Sequence, residues 1–358
     1  MRIIQMVTAI SPGDAVGNDV QALDRMLRDE GFITEIYAET IDPRLKGKGI
    51  QNVSKLTALS EEDIILYHAC TATDLNMRFT EFGGKKVMIY HNITPPVFFE
   101  KYSPQAADAC RRGENQIKNI AARVDYCIAV SNYNRQQLIA MGYQCPIDIC
   151  PILIPFEDYR KMPDESVLKK YQNDGWTNLL FVGRLAPNKG YQNIIAAFAA
   201  YHKLYNPQSR LFLVGNPGGM DAYLDELSQY IKKLGVQEYV VFSGHVRFPE
   251  ILSYYRLANV FVCMSAHEGF CVPLVEAMEF NIPIVAYDSS AIPDTLGKGG
   301  ILLDSTNPYV AAEVINNLVQ NESLRNYIRE EQQHQLDRFQ YETVRKQFLG
   351  ILERIIDQ

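Results

Sequence analysis

Short β-branched runs alternate with helix-length amphipathic segments along almost the whole chain, and few folds accommodate that rhythm. The runs are Ile3–Thr8, Ile33–Tyr37, Ile64–His68, Lys86–Tyr90 and Tyr126–Val130, then Leu179–Gly183, Leu211–Gly215, Val240–Ser243, Val260–Met264, Pro283–Tyr287 and Gly300–Leu303. Several are apolar throughout, as strands buried on both faces must be. Strands in strict alternation with helices imply parallel sheets covered by helices on both sides. The chain has 358 residues, 47% of them hydrophobic, which is too long for one ordinary core.

The alternation breaks between about Pro151 and Trp176, where Pro151, Pro155 and Pro163 accompany the polar stretch KMPDESVLKKYQNDG. Such a segment suits a linker. It divides the chain into an N-terminal domain over 1–165 and a C-terminal domain over 166–340, each the size of one doubly wound α/β (Rossmann-like) unit. Residues 341–358 carry Val344, Phe348, Ile351, Leu352 and Ile355 at helical spacing. This predicts an amphipathic C-terminal helix that must pack on something.

Charge narrows the function. Lys and Arg number 35 against 42 Asp and Glu, a net charge of -7, which argues against a nucleic-acid binder. The seven cysteines show no CxxC spacing and fit a reduced, cytoplasmic setting. Cys127 and Cys263 sit in apolar runs and read as small core residues. The N-terminus MRIIQMVTAI opens directly on a strand pattern, without a basic region followed by a long apolar one, so no secretory leader is expected. No apolar run is long enough to span a bilayer.

Ligands of open parallel sheets bind beyond the carboxyl ends of the strands, so chemistry is expected in the segments that follow each strand. In NVFVCMSAHEGFCVPLVEAMEF a strand ends near Met264, SAHEGF turns, and VPLVEAMEF forms a helix. The amides of Gly269, Phe270, Cys271 and Val272 fall at the helix N-terminus, an anion site suited to a diphosphate. Glu276 lies about one turn further in, where its carboxylate can accept from ribose hydroxyls. The helix around it is apolar, and a buried carboxylate needs partners. Glu268 lies in the turn. Solvent-facing helix charges are the plain alternative for both acids.

A second loop follows the strand in NLLFVGRLAPNKGYQNIIAAF. Gly183 ends the strand, and Arg184 and Lys189 bracket the loop. A fixed guanidinium and a flexible ammonium can neutralise a leaving diphosphate. An isolated pair of this kind would ordinarily be solvated. Further upstream, Gly17 in SPGDAVGNDV permits close backbone approach, and Asn18 or Asp19 is placed to cap the first helix. His91 follows a strand in KVMIYHNITPP, and His68 ends another. Ser131 is placed to cap a helix.

HEGFCVPLVEAM resembles the E-x7-E signature of the family-4 retaining glycosyltransferases, the glycosyl transferases group 1, which have the GT-B fold. G-R-x-x-x-x-K-G over Gly183–Gly190 resembles that family's second signature. The resemblance is strongest from Asn178 to Leu303. It implies that Glu268 lies beside the donor sugar, that Glu276 binds the ribose, and that Arg184 and Lys189 face the leaving phosphate. It further implies a base-side role for the backbone of Val246, a phosphate-side role for Gly17, and a donor-sugar contact for His91. The usual paired glycines near Gly17 are absent here.

The resemblance thus implies two Rossmann-like domains facing across a cleft, the last helix packing back on the first domain, and transfer of a hexose-type sugar with retention from a nucleotide-diphosphate sugar to a glycan or lipid-linked acceptor. The cellular role it implies is cell-surface polysaccharide assembly. No cofactor is expected, the nucleotide sugar being a substrate. No D-x-D spacing occurs, which favours a metal-independent reaction. A peripheral contact at the inner face of the membrane would fall on Arg111, Arg112, Lys118 and Arg123; a solvated helix face is the better reading of those four. The rival functions are a GT-B-like phosphorylase or epimerase, and a non-catalytic sugar-nucleotide-binding partner subunit.

Overall fold

A computed structural model describes all 358 residues. Thirteen strands form two wholly parallel sheets. The strands are β1 (Ile3–Ile10), β2 (Thr34–Ile41), β3 (Ile50–Asn52), β4 (Ile64–Ala69), β5 (Lys85–Tyr90), β6 (Tyr126–Ala129), β7 (Ile147–Ile149), β8 (Thr177–Val182), β9 (Ser209–Val214), β10 (Val240–Gly244), β11 (Val260–Cys263), β12 (Ile284–Tyr287) and β13 (Ile301–Leu303). The first sheet runs β3-β2-β1-β4-β5-β6-β7 and the second β10-β9-β8-β11-β12-β13. Both are doubly wound, with the direction of winding reversing between β1 and β4 and between β8 and β11. All eleven strands expected from the sequence are present. The two that were missed, β3 and β7, have three residues each and lie at sheet edges. They are too short and too exposed to show a pattern.

The apolar runs fold as they do because helices cover both faces. Ile4, Met6, Ile65, Tyr67, Met88 and Tyr90 form one side of the first core with Leu75, Phe79 and Ile117 from the covering helices. Val7, Ile10, Val20, Ile36 and Ala38 form the other. In the second sheet Leu180, Phe181, Phe212, Val262 and Val285 are fully or almost fully buried.

The chain divides into two compact units. One comprises Met1–Glu100, Pro104–Pro155 and Phe339–Gln358; the other comprises Lys101–Ser103 and Phe156–Arg338. Residues 156–165, read above as the end of the first domain, therefore group with the second. The cause is visible in their bonds: Asp164 N–H donates to Pro249 O, Asp164 pairs with Arg247 at 3.0 Å, and the Tyr159 hydroxyl donates to Glu276. Within the first unit the helix Tyr341–Asp357 buries Val344, Phe348, Ile351, Leu352 and Ile355. Arg354 pairs with Asp148 at 2.6 Å, Arg345 pairs with Glu30, and the Lys85 ammonium donates to Ile355 O.

The capping of the first helix differs from expectation. Asp14 caps the helix Ala15–Asp29 by accepting from Gly17 N–H, so Asn18 and Asp19 lie inside it. Asp14 wins because the chain turns directly after Pro12 and Gly13. This leaves Asp19 free for another task, described below. Ser131 does cap its helix, accepting from Asn134 N–H. Cys127 and Cys263 are fully buried, and all seven cysteines are free thiols.

Candidate functional site

The loops that leave β8 and β11 are adjacent because these two strands pair. They are also fastened to each other. Asn188 O accepts from Ala266 N–H at 2.8 Å, and Asn188 Nδ2 donates to His267 O at 3.0 Å. Gly190 has a φ of 66°, a left-handed conformation, and a Cβ built on it would fall 1.9 Å from Met264 O. Only glycine lets the two backbones approach so closely. The result is one fixed contact between the two predicted signatures: Lys189 Nζ lies 2.7 Å from both carboxylate oxygens of Glu268.

Lys189 is 20% exposed and Glu268 7%. Burial alone would lower the Lys189 pKa, but the Glu268 carboxylate outweighs it and holds the ammonium above its ordinary range. The ammonium thus stays charged in a low-dielectric setting, where its field is strong. Arg184, five residues earlier, is exposed and makes no ion pair with any side chain. The two cations expected at the leaving group thus differ: one is held by a carboxylate, and one is open to an incoming anion.

The turn that carries Glu268 is held by the loop after β12. Glu268 N–H donates to Ser290 Oγ at 2.8 Å, and Ser289 Oγ donates to Ser265 O at 2.6 Å. Thr295 Oγ1 donates to Phe270 O at 2.5 Å. Cys271 adopts a left-handed φ of 74° just before the helix Val272–Glu279. Non-glycine residues are rarely held so, and such strain concentrates at functional turns. The helix turns Leu274, Val275, Ala277 and Met278 inward.

Glu276 faces the other way, half-buried, and is held by two phenols. Tyr159 OH donates to Oε1 at 2.9 Å and Tyr255 OH to Oε2 at 2.5 Å. Burial raises the carboxyl pKa, the two tyrosine hydroxyls pull it down, and burial prevails. Each carboxylate oxygen retains lone pairs for a further donor. Phe280 stacks on Tyr255 with ring centroids 5.0 Å apart and 3° between planes. Tyr159, Tyr255 and Asn188 were not singled out in the sequence. Tyr159 lies in the Pro-rich linker and Tyr255 in a run of ordinary amphipathic helix, and neither carries a spacing signal.

The remaining residues of this domain fall around the same sheet end. Gly183 follows β8, and a Cβ at Gly215 after β9 would meet Gly183 O at 1.9 Å. Val246 is half-buried in the turn between β10 and the helix Phe248–Leu257. Gly269 and Phe270 lie in the held turn.

In the N-terminal domain the carboxyl ends of β1 and β4 carry a second cluster. His68 is fully buried on β4, and its Nδ1 lies 2.9 Å from Nε2 of His91, the residue after β5. His68 Nε2 lies 3.1 Å from Gln5 Oε1 on β1. Asp19 approaches from the first helix, with Oδ2 3.8 Å from His91 Nε2. Its Oδ1 accepts from Leu153 N–H at 2.8 Å. Gly17 lies one turn earlier, where a Cβ would press on Ser11 O at 3.1 Å. Gln5 was missed, although a polar residue inside the apolar run IIQMV was a visible signal.

Burial pushes the Asp19 carboxyl up to about 7, against the pull of the Leu153 N–H. Its folded value lies above its ordinary 3.8, so the folded chain keeps a proton that the unfolded chain releases. Its stabilising contribution is full below that ordinary value and is lost as pH rises through about 7. Asp19→Asn keeps the acceptor for Leu153. The variant is therefore expected to melt above wild type at pH ~8, by up to a few kcal/mol in stability, and level with it at pH ~4. Thermal melts at the two pH values test this; equal melting at the higher pH would refute it.

Two of the four basic residues named above, Arg111 and Arg112 on the helix Pro104–Asn119, are paired within the domain. Arg111 pairs with Glu100 at 3.0 Å and lies 3.9 Å from Asp108, and Arg112 lies 3.7 Å from Asp108. No helix in the chain is long and apolar enough to cross a membrane.

Known proteins resemble this chain in fold and in the sequence of its second unit. Residues 166–335 match the family described as Glycosyl transferases group 1. The O-antigen chain mannosyltransferase B of Escherichia coli is 25% identical over 248 residues, which cover 67% of this chain and 63% of that protein. The chain spans less than two thirds of the length of the curated relatives it matches, from 24% to 63%. Among solved structures, Anabaena Alr3699/HepE in complex with UDP-glucose superposes with a TM-score of 0.77 at 19% identity, over 99% of this chain and 100% of that one. Sucrose-phosphate synthase of Thermosynechococcus elongatus gives 0.76 at 16% identity, covering both chains entirely. The chain has the GT-B fold, and the stretch 166–335 that is similar to the glycosyl transferases group 1 model carries Lys189, Glu268 and Glu276 at the end of the second sheet.

Proposed function

We propose that this chain is a retaining, metal-independent glycosyltransferase that moves a hexose-type sugar from a nucleotide-diphosphate sugar to a glycan or lipid-linked acceptor. The observation that carries this reading is the Lys189–Glu268 contact at 2.7 Å, fixed at the end of the second sheet beside the helix that bears Glu276. Two family signatures 79 residues apart in sequence meet there. Two similar proteins, a mannosyltransferase and a structure in complex with UDP-glucose, support it in chemical class.

The roles follow from charge. Glu276, braced by Tyr159 and Tyr255, accepts from the ribose hydroxyls. The amides of Gly269 to Val272, with the helix dipole behind them, and the open guanidinium of Arg184 hold the diphosphate. Lys189 meets the charge that grows on the leaving phosphate oxygen, and Glu268 keeps the ammonium aimed. The bond from the sugar C1 to that oxygen breaks, and a bond from the acceptor oxygen to C1 forms on the same face. The acceptor's proton passes to the leaving nucleoside diphosphate, so no protein nucleophile is required. Gly183 and Gly17 let backbone approach phosphate, Val246 offers backbone groups to the base, and the N-terminal domain receives the acceptor. Assembly of a cell-surface polysaccharide at the cytoplasmic face of a membrane is the role proposed.

Glu276→Gln tests the nucleotide part. Losing the charge from a hydrogen bond to ribose costs about 1.5–3 kcal/mol, so affinity for UDP or GDP, whichever binds wild type, should fall roughly ten- to a hundred-fold by titration calorimetry. Unchanged affinity would remove Glu276 from the site. Incubation of the wild type with UDP-glucose or GDP-mannose and a panel of methyl glycosides tests the transfer itself. Donor binding with no hydrolysis or transfer would favour the non-catalytic partner subunit.

A further inference from the structure

We propose that Gln5 and His68 lock His91 in the tautomer protonated at Nε2, so that the buried His91 Nδ1 is a hydrogen-bond acceptor for a sugar hydroxyl. The ligand chemistry rests on the glycosyltransferase reading above; the tautomer rests on geometry alone.

The proton positions follow in order from one end of the chain of contacts. Gln5 Nε2 donates to Val20 O at 3.0 Å, which fixes the orientation of the amide, because the flipped amide would set two oxygens against each other. Gln5 Oε1 therefore faces His68 Nε2 at 3.1 Å, and His68 must carry its proton there. A neutral imidazole has one proton, so His68 Nδ1 is a lone pair. His91 Nε2, 2.9 Å away, must then be the donor. The Asp19 oxygen at 3.8 Å is too far to compete for that proton. Burial holds both rings well below their ordinary pKa, which keeps them neutral.

What remains is His91 Nδ1. It is a lone pair on a side chain 2% exposed, and no protein group donates to it. A buried acceptor without a donor is costly, so this atom is set for an incoming one. The incoming group must bring a proton. A sugar hydroxyl does; a carboxylate or phosphate brings only lone pairs and is repelled. Gln5 and His68 touch no ligand and are positioning residues. The relay also explains why Gln5 interrupts an otherwise apolar strand.

Asp19, His68 and His91 could also be read as metal ligands, since their ligand atoms lie within 4.8 Å of one another. The two ring nitrogens face each other at hydrogen-bond distance. A shared ion would need both lone pairs turned toward one point, so the geometry favours a shared proton.

Long-range ¹H–¹⁵N correlation on the full chain with ¹⁵N-labelled histidine rings tests the proposal. Both rings are expected neutral at pH ~7 and protonated at Nε2. His91 protonated at Nδ1, a cationic ring, or stoichiometric Zn²⁺ uptake with loss of the Nε2–H signals would overturn it. UDP-glucose or GDP-mannose on one arm, and methyl glycosides on the other, should shift the His91 Nδ1 resonance; the arm that does so identifies donor or acceptor as the source. Nucleoside diphosphate alone should not. If neither arm moves it while turnover proceeds, hydroxyl recognition is refuted and the transferase reading stands. If the tautomer holds but the chain binds no nucleotide sugar, the transferase reading is the one that fails. Gln5→Leu should mix the His91 tautomers and lower kcat/KM roughly ten-fold, in line with one neutral hydrogen bond. The wild-type spectrum decides even where that variant does not fold.

Discussion

Lys189→Ala is expected to lower turnover by roughly two to three orders of magnitude, the scale seen when one preorganised group facing developing charge is removed. The lost interaction is with the leaving phosphate, whose charge grows only as the glycosidic bond breaks. The fall should therefore appear in kcat, with KM for the donor moving less. The same substitution strands Glu268, a carboxylate 7% exposed whose two oxygens lie 2.7 Å from the lost ammonium. Breaking a fully buried pair costs about 3–5 kcal/mol; the partial exposure of Lys189 places this case below that range. The two effects separate in Lys189→Ala/Glu268→Gln, which removes the stranded charge. That variant should recover most of the lost melting temperature and none of the lost turnover. Lys189→Arg keeps the charge but replaces a flexible point donor by a planar fork, and should restore only part of kcat. Steady-state kinetics and thermal melts of the three variants decide the matter. Full activity in Lys189→Ala would sink the assigned role.

The fold was legible because buried parallel strands write themselves as apolar runs, and eleven of them stand out between helices. What could not be read lay where burial is slight or where partners are remote in sequence. β3 and β7 are three-residue edges with no alternation to see. Asp19 reads as a helix cap, yet Asp14 takes the cap and Asp19 spans to Leu153, 134 residues away. The predicted site divides in the same manner. Lys189 and Glu268 were each visible from local motif and meet in the structure. The residues that hold the site in place, Asn188, Tyr159, Tyr255 and Gln5, carry no motif, and only Gln5, polar inside an apolar run, stands out in the sequence at all. Their work is to reach a backbone, a carboxylate or an imidazole 21 to 117 residues distant, and no local spacing encodes such a reach. Chemistry-bearing residues are constrained by type and spacing, while supporting residues are constrained only by the folded neighbourhood.

Gly190 joins the two kinds of constraint, and its replacement should have the largest effect on folding. A Cβ there would fall 1.9 Å from Met264 O and 2.7 Å from Met264 C. Both are backbone atoms at the end of β11, so no rotamer relieves the clash and one of the two loops must move. The left-handed φ of 66° adds about 1–2 kcal/mol for any L side chain. Gly235 separates the contributions. Its φ is 67°, but nothing lies within 4 Å of a Cβ built on it. Gly235→Ala should therefore lose only the backbone term. Gly190→Ala should lose that and the clash, together about 3 kcal/mol or more, or a melting temperature lower by roughly 6–12 °C at about 2–4 °C per kcal/mol for a domain of this size. Lys189 immediately precedes the glycine, so relief of the clash must carry the ammonium away from Glu268. Turnover in the surviving folded fraction should then fall toward that of Lys189→Ala. Equal melting of Gly190→Ala and Gly235→Ala would mean that the loops after β8 and β11 are not held together by this close approach, and the fixed Lys189–Glu268 contact would lose its structural cause.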